Sequence, residues 1–128
     1  MAGKPPRPTD AELEILTVLW SIGPATVRDV YNAIVRRRPA QYSTILKFMQ
    51  IMADKGLVRR NEAQRAHIYE AARPREWTQQ QLAGHLLERA FGGSAKALLI
   101  GALSAHKATK QELAEMWKIL DEYRKGEK

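Results

Sequence analysis

The sequence predicts a mainly α-helical chain with one small β-hairpin, and three observations lead there. Apolar residues recur at helical spacing in several separate stretches. Threonine-led capping boxes open helices at Thr9 and Thr109, and one pair of short strand-like runs stands between the helices. At 128 residues the chain is one domain, or one small domain with an appendage.

In Thr9-Asp10-Ala11-Glu12 the threonine is the N-cap and the glutamate stands three residues on, where it can return the hydrogen bond. Leu13, Leu16, Leu19 and Trp20 then recur on one helical face until Gly23-Pro24 ends the helix. A second helix carries Val27, Val30, Tyr31 and Ile34 as its inward stripe and frays into Arg36-Arg37-Arg38 before Pro39. Basic residues in a last turn complement the helix dipole, so the arginine triplet has a structural role beside any contact with phosphate. Ser43 caps a third helix that runs to Lys55 and stops at Gly56. Its core face is Ile45, Leu46, Met49, Met52 and Ala53, and its other face is Ser43, Thr44, Lys47, Gln50, Ile51, Asp54 and Lys55.

Two strand-like runs follow, Leu57-Val58-Arg59-Arg60 and Ala66-His67-Ile68-Tyr69, joined by the polar Asn61-Glu62-Ala63-Gln64-Arg65. Leu57, Ile68 and Tyr69 can close over the helices, although Val58 and Ala66 leave the alternation imperfect. Three helices and a hairpin in this order make a winged helix-turn-helix, whose third helix suits a major groove while the hairpin lies along the backbone.

After Pro74 the pattern changes. Trp77, Leu82, Leu86, Leu87, Ala90 and Phe91 line a fourth helix that stops at Gly92-Gly93. A fifth runs from Ser94 to Ser104 with Leu98, Leu99, Ala102 and Leu103 inward. A last helix opens at Thr109-Lys110-Gln111-Glu112 and carries Leu113, Met116, Trp117, Leu120 and Tyr123 on one side. Three such helices cannot easily bury all of that apolar surface among themselves, so a symmetric partner chain is expected to supply the missing half. The alternative is a monomer in which they fold back on the winged domain. Leu86, Phe91, Leu98, Leu99, Leu103, Leu113, Met116, Trp117 and Leu120 are the expected dimer interface. The expected division is a disordered arm over 1–8, a winged-helix domain over 9–73 and a helical dimerisation region over 74–128.

The formal charge is +7, and its placement matters more than its size. Between Arg28 and Arg65 stand nine basic residues against three acidic ones, a local field that favours a polyanion. No apolar stretch approaches the roughly 20 residues a membrane span needs. The first eight residues lack the apolar segment of a signal peptide, so a cytoplasmic location is expected. The absence of cysteine removes disulfides, thiolate metal sites and cysteine nucleophiles together. No Gly-rich phosphate loop, nucleophile elbow or paired-histidine helix is present, so neither an enzyme nor a cofactor is expected. His85 and His106 lack the paired spacing of a metal site. Trp20, Trp77 and Trp117 read as core or interface anchors.

Leu13-Glu14-Ile15-Leu16-Thr17-Val18-Leu19-Trp20 and Ala25-Thr26-Val27-Arg28-Asp29-Val30 resemble the opening of the penicillinase-repressor (BlaI/MecI/CopY) family. Tyr42-Ser43-Thr44-Ile45-Leu46-Lys47 and Asp54-Lys55-Gly56-Leu57-Val58 are similar to its recognition-helix block, and Phe91-Gly92-Gly93-Ser94 to its C-terminal signature. The resemblance spans Thr9 to Tyr123. It implies a dimeric bacterial repressor binding palindromic operator DNA, of the kind that controls β-lactamase, penicillin-binding or copper-transport genes. In the antibiotic-responsive branch it further implies a membrane sensor-protease as regulatory partner. The family's Asn-Phe cleavage point corresponds to Gly101-Ala102 here, and the cysteine motif of the copper branch has no counterpart.

Within that frame Thr44 and Lys47 are expected to reach base edges, with Ser43 and Gln50 as further base or phosphate contacts. Arg28, Lys55, Arg59, Arg60 and Arg65 are expected on the phosphate backbone. Tyr42 offers its hydroxyl to a phosphate or its ring to the core, and His67 offers a phosphate contact or a plain surface role. Ile51 touches a thymine methyl or packs under the wing, with packing the expected role. An RNA-binding module or a protein-interaction adaptor is the rival reading. RNA readers usually expose aromatics for stacking, whereas the aromatics here fall mostly on apolar stripes.

Overall fold

The computed structural model describes residues 7–126, so residues 1–6 of the expected arm lie outside the described residues. The elements are α1 (Asp10–Ile22), α2 (Val27–Val35), α3 (Tyr42–Lys55), β1 (Val58–Asn61), β2 (Ile68–Ala71), α4 (Arg75–Ala90), α5 (Ala95–Ala105) and α6 (Lys110–Arg124). The described residues form two compact units that part after Leu82. The mainly helical fold with one antiparallel hairpin is therefore the one the sequence predicts.

The first unit holds the core. The Thr9 hydroxyl accepts from the Glu12 N–H and the Glu12 carboxylate accepts from the Thr9 N–H, which closes the expected capping box. A second box, beyond those expected from sequence, opens α2 at Thr26 with Asp29 at the third helical position. Each box satisfies backbone donors that a helix start leaves orphaned. The inward face of α1 is Ile15, Leu16, Val18 and Leu19, displaced from the expected stripe so that Leu13 and Trp20 are only half-buried. From α2 come Val27, Val30 and Ile34, and from α3 Ile45, Met49 and Met52. Each fully buried side chain of this size is worth about 1.5–3 kcal/mol against exposure.

Two boundaries differ from expectation. Helix α3 begins at Tyr42 with Gln41 at the N-cap and no side-chain cap bond, so Ser43 lies inside the helix and does not cap it. At its other end Gly56 adopts φ +81°, a left-handed conformation that a side chain would strain. The second strand begins two residues later than expected, at Ile68. Tyr69 explains the shift. Its N–H and C=O both pair with Ala25, at 2.8 and 2.9 Å, and its ring is buried. With Tyr69 fixed in the core, β2 aligns with β1 as Val58↔Ala71 and Asn61↔Ile68, leaving 62–67 as the hairpin loop. Asn61 Oδ1 accepts from the Ala63 N–H to start that turn.

The start of α4 belongs to the first unit. Trp20 Nε1 donates to the Arg73 carbonyl at 3.0 Å, the Arg73 guanidinium lies 4.7 Å from the Trp77 ring, and Thr78 is buried.

The second unit is built differently. Thr109 and Ser94 cap α6 and α5 by accepting from Glu112 and Ala97 N–H groups. A Cβ on Gly101 would come within 3.3 Å of the Phe91 ring, so the glycine lets that ring approach α5. Neither α5 nor α6 buries a single residue. Leu98 and Leu99 are half-buried, while Leu103 and Ala102, expected inward, are exposed along with Leu86, Leu113, Ile119, Leu120 and Tyr123. Trp117 is 72% exposed. Among the described residues no helix is long and apolar enough to cross a membrane.

Candidate nucleic-acid interface

The interface begins with the spacing of α3. Its buried residues Ile45, Met49 and Met52 fall on one helical stripe, which leaves Ser43, Thr44, Lys47 and Gln50 exposed on the remaining faces. These four carry hydroxyls, an ammonium and an amide, the groups that hydrogen-bond to base edges. Lys47 has no ion-pair partner among the described residues, and it shares a shallow recess of about 470 Å3 with Ser43, Thr44, Phe48 and Ile51.

At the start of α3 the chain places Arg28 against two tyrosines. Its guanidinium lies 4.5 Å from the Tyr42 ring centroid and 5.8 Å from that of Tyr31, and the two rings meet edge to face at 5.6 Å. Such a stack is worth about 0.5–1 kcal/mol at a surface, enough to bias an exposed arginine toward one place. Tyr42 is half-buried and its ring packs on the core. The backbone N–H groups of the α3 N-terminus, uncapped by Gln41, open on the same region.

The basic residues divide by what they already hold. Lys55, expected on phosphate, instead donates to Glu12 Oε2 at 2.7 Å. Glu12 is only 2% exposed, so the lysine answers a carboxylate inside the protein. Burial pushes the Glu12 carboxyl up, but the hydrogen bonds from Lys55 and Thr9 and the Lys55 charge outweigh it. The carboxyl is held below its usual range. Arg38 plays a similar part at the surface, gripping both oxygens of Glu14 at 2.6 and 3.1 Å, and its hydrogen bond and charge lower the Glu14 carboxyl. One member of the arginine triplet is thus structural, while Arg36 and Arg37 stay exposed.

On the hairpin Arg59 is exposed, with Glu70 and the Ala72 carbonyl each at 3.4 Å. Arg60 pairs with Glu62 at 2.6 Å, and the Tyr69 hydroxyl and then the Glu62 charge raise its pKa further. Arg65 and His67 are exposed in the hairpin loop, and Arg65 has no ion-pair partner among the described residues. No group of three or more potential metal ligands is present among the described residues.

Sequence reasoning passed over two residues of this region. Phe48 belongs to neither of the two α3 faces expected from sequence, although its spacing from Thr44 and Ile51 marks it as part of their flank. In the sequence Glu12 shows only its capping role, because its second partner, Lys55, lies in a distant helix.

A helix-turn-helix, a hairpin with basic residues at its loop and a polar outer face on the third helix are the context in which family likeness gains meaning. A sequence profile of the penicillinase repressor family matches residues 8–122. The chain belongs to the penicillinase repressor family. Two relatives called transcriptional regulator BlaI, from Mycobacterium tuberculosis strains CDC 1551 / Oshkosh and ATCC 25618 / H37Rv, are each 39% identical over 61 residues. That match covers 47% of this chain and 44% of theirs, so the aligned part spans less than half of those relatives. The penicillinase repressor of Bacillus licheniformis is 21% identical over 125 residues, 98% of each chain. The penicillinase repressor family is one of transcriptional regulators, not enzymes.

Proposed function

We propose that the chain is a transcriptional repressor that binds palindromic operator DNA as a homodimer. The observation that carries this reading is the outer face of α3, where Ser43, Thr44, Lys47 and Gln50 stand exposed in the most basic stretch of the chain. Thr44 and Lys47 read base edges, with Ser43 and Gln50 beside them. Arg28, Arg59, Arg65 and His67 serve phosphates, Arg60 does so when it leaves Glu62, and Tyr42 holds Arg28 in place. Repression then needs no chemistry, since occupancy of the operator blocks the polymerase.

The dimer reading is supported by the second unit, whose helices α5 and α6 leave Trp117, Leu120, Leu113 and Leu103 uncovered. Apolar surface of that extent on a small unit is the mark of an interaction face. Regulation by a membrane sensor-protease rests on the family resemblance alone.

Selection of bound sequences from random duplex DNA at near-physiological salt, with the mass in solution recorded alongside, tests the reading. An enriched inverted repeat bound by a dimer is the expected result. Weak binding to every duplex, or a monomer at all concentrations, would return the reading to an RNA-binding or protein-interaction module.

A further inference from the structure

We infer that the recess on the flank of α3, floored by Phe48 and Ile51, receives the 5-methyl group of a thymine, which makes Ile51 a specificity-determining residue. The inference rests on the DNA-binding reading above and names a base that the site recognises.

Thr44, Lys47, Phe48 and Ile51 follow one another at i, i+3, i+4 and i+7, so they form a second stripe along α3 beside the core stripe of Ile45, Met49 and Met52. The two apolar members of that flank differ in their support. Phe48 packs partly on the core, whereas Ile51 is not among the apolar residues packed there and stays half-exposed. The expected packing of Ile51 under the wing thus leaves a good part of its surface in water. A half-exposed β-branched apolar residue beside the exposed Ser43, Thr44, Lys47 and Gln50 gains little from the free protein.

The rim decides what fits. In the major groove thymine presents its methyl group beside the O4 acceptor, while cytosine presents an amino donor and no methyl. Lys47 can only donate, and the hydroxyls of Ser43 and Thr44 can donate as well as accept. An apolar floor beside such donors matches the thymine edge and mismatches the cytosine edge. The nine basic against three acidic residues between Arg28 and Arg65 favour a duplex over an apolar peptide as the occupant.

The test uses the full chain and the duplex it prefers. Each thymine of the half-site is replaced in turn by deoxyuridine, which deletes the methyl group and nothing else. One position should weaken binding about 4-fold per half-site and about 15-fold when both half-sites carry the change, as expected for one methyl group returned to water. Ile51→Ala should bind the thymine and uracil duplexes alike with its salt dependence unchanged, and Ile51→Leu should keep part of the preference. Urea unfolding of both variants confirms that each is folded. Binding to duplex DNA that no uracil substitution weakens, or a methyl effect of full size in Ile51→Ala, would overturn this inference alone. Absence of affinity for any duplex, seen before uracil is introduced, would overturn the DNA-binding reading and this inference with it.

Discussion

Glu12 is a charge that the first unit keeps inside itself. Its carboxylate accepts from Lys55 at 2.7 Å and from the Thr9 N–H at 3.0 Å, joining the first turn of α1 to the last turn of α3. Removing one partner of a buried pair costs more than the pair was worth, because the other is left uncompensated. Lys55 remains one-third exposed, which moderates the penalty. Glu12→Gln should therefore destabilise the chain by about 1–2 kcal/mol at pH 7, below the several kcal/mol of a fully buried pair. The carboxyl titrates lower when folded than when unfolded. Its contribution is thus fully present above the ordinary carboxylate range and is lost as pH falls through the depressed value. Urea midpoints of wild type and variant should converge on acidification, and a gap independent of pH would place the effect elsewhere. At the residues proposed to contact DNA the expected pattern separates two kinds of contact. Lys47→Ala should cost about 1–3 kcal/mol and relax selectivity at one operator position. Arg65→Ala should weaken all duplexes alike and flatten the log-log salt slope by about one unit. Binding isotherms at several salt concentrations distinguish them.

Helix α3 shows a compromise at the scale of an element. Its neighbours α1 and α2 start with reciprocal capping boxes, whereas α3 starts at Gln41 without a side-chain cap. Capping residues at such a position are worth about 0.5–2 kcal/mol. Gln41→Asp should accordingly raise the stability of the free protein by about 1 kcal/mol in urea titrations. The same carboxylate occupies the N–H groups nearest the Arg28–Tyr42 stack and sets a negative charge against phosphate, so operator affinity should fall. A variant that is both more stable and equally tight would show that the α3 start does not face the backbone. The hairpin carries the opposite lesson. Its two strands are too short to be stable in isolation, and the bond pair between Tyr69 and Ala25 attaches them to the helices.

For the whole molecule, the contrast between the two units governs the expected behaviour. The first unit has a closed core of buried side chains, and the second leaves its helices largely uncovered. A fragment ending at Leu82 keeps Trp20, Arg73, Trp77 and Thr78 together and should fold as a monomer that binds the operator weakly. Ending it at Arg73 removes Trp77 and Thr78 and should lower its stability. In the full chain, Trp117→Glu should convert the proposed dimer to monomer in sedimentation experiments and weaken operator binding by at least tenfold, the effect of losing only about 1.4 kcal/mol. A Trp117→Glu protein that remains dimeric would move the dimer contact away from α6.

The sequence by itself determined the helices, their order, the hairpin and the outer face of α3. These depend on local signals, a capping threonine, a glycine stop and the 3.6-residue spacing of apolar groups, all readable within a few residues. It also marked the basic stretch, because charge is a property of composition. What it could not rank was the use of each charge. Lys55 and Arg38 look like any other basic residue along the chain, and only the folded chain brings Glu12 and Glu14 to them. The strand that began two residues late has the same cause, since the alternation of Ala66 to Tyr69 says nothing of Ala25. Tertiary structure decided these points because each depends on a partner far away in sequence. It also decided that Ile51 stays off the core, as the space beneath α3 is filled by Ile45, Met49 and Met52.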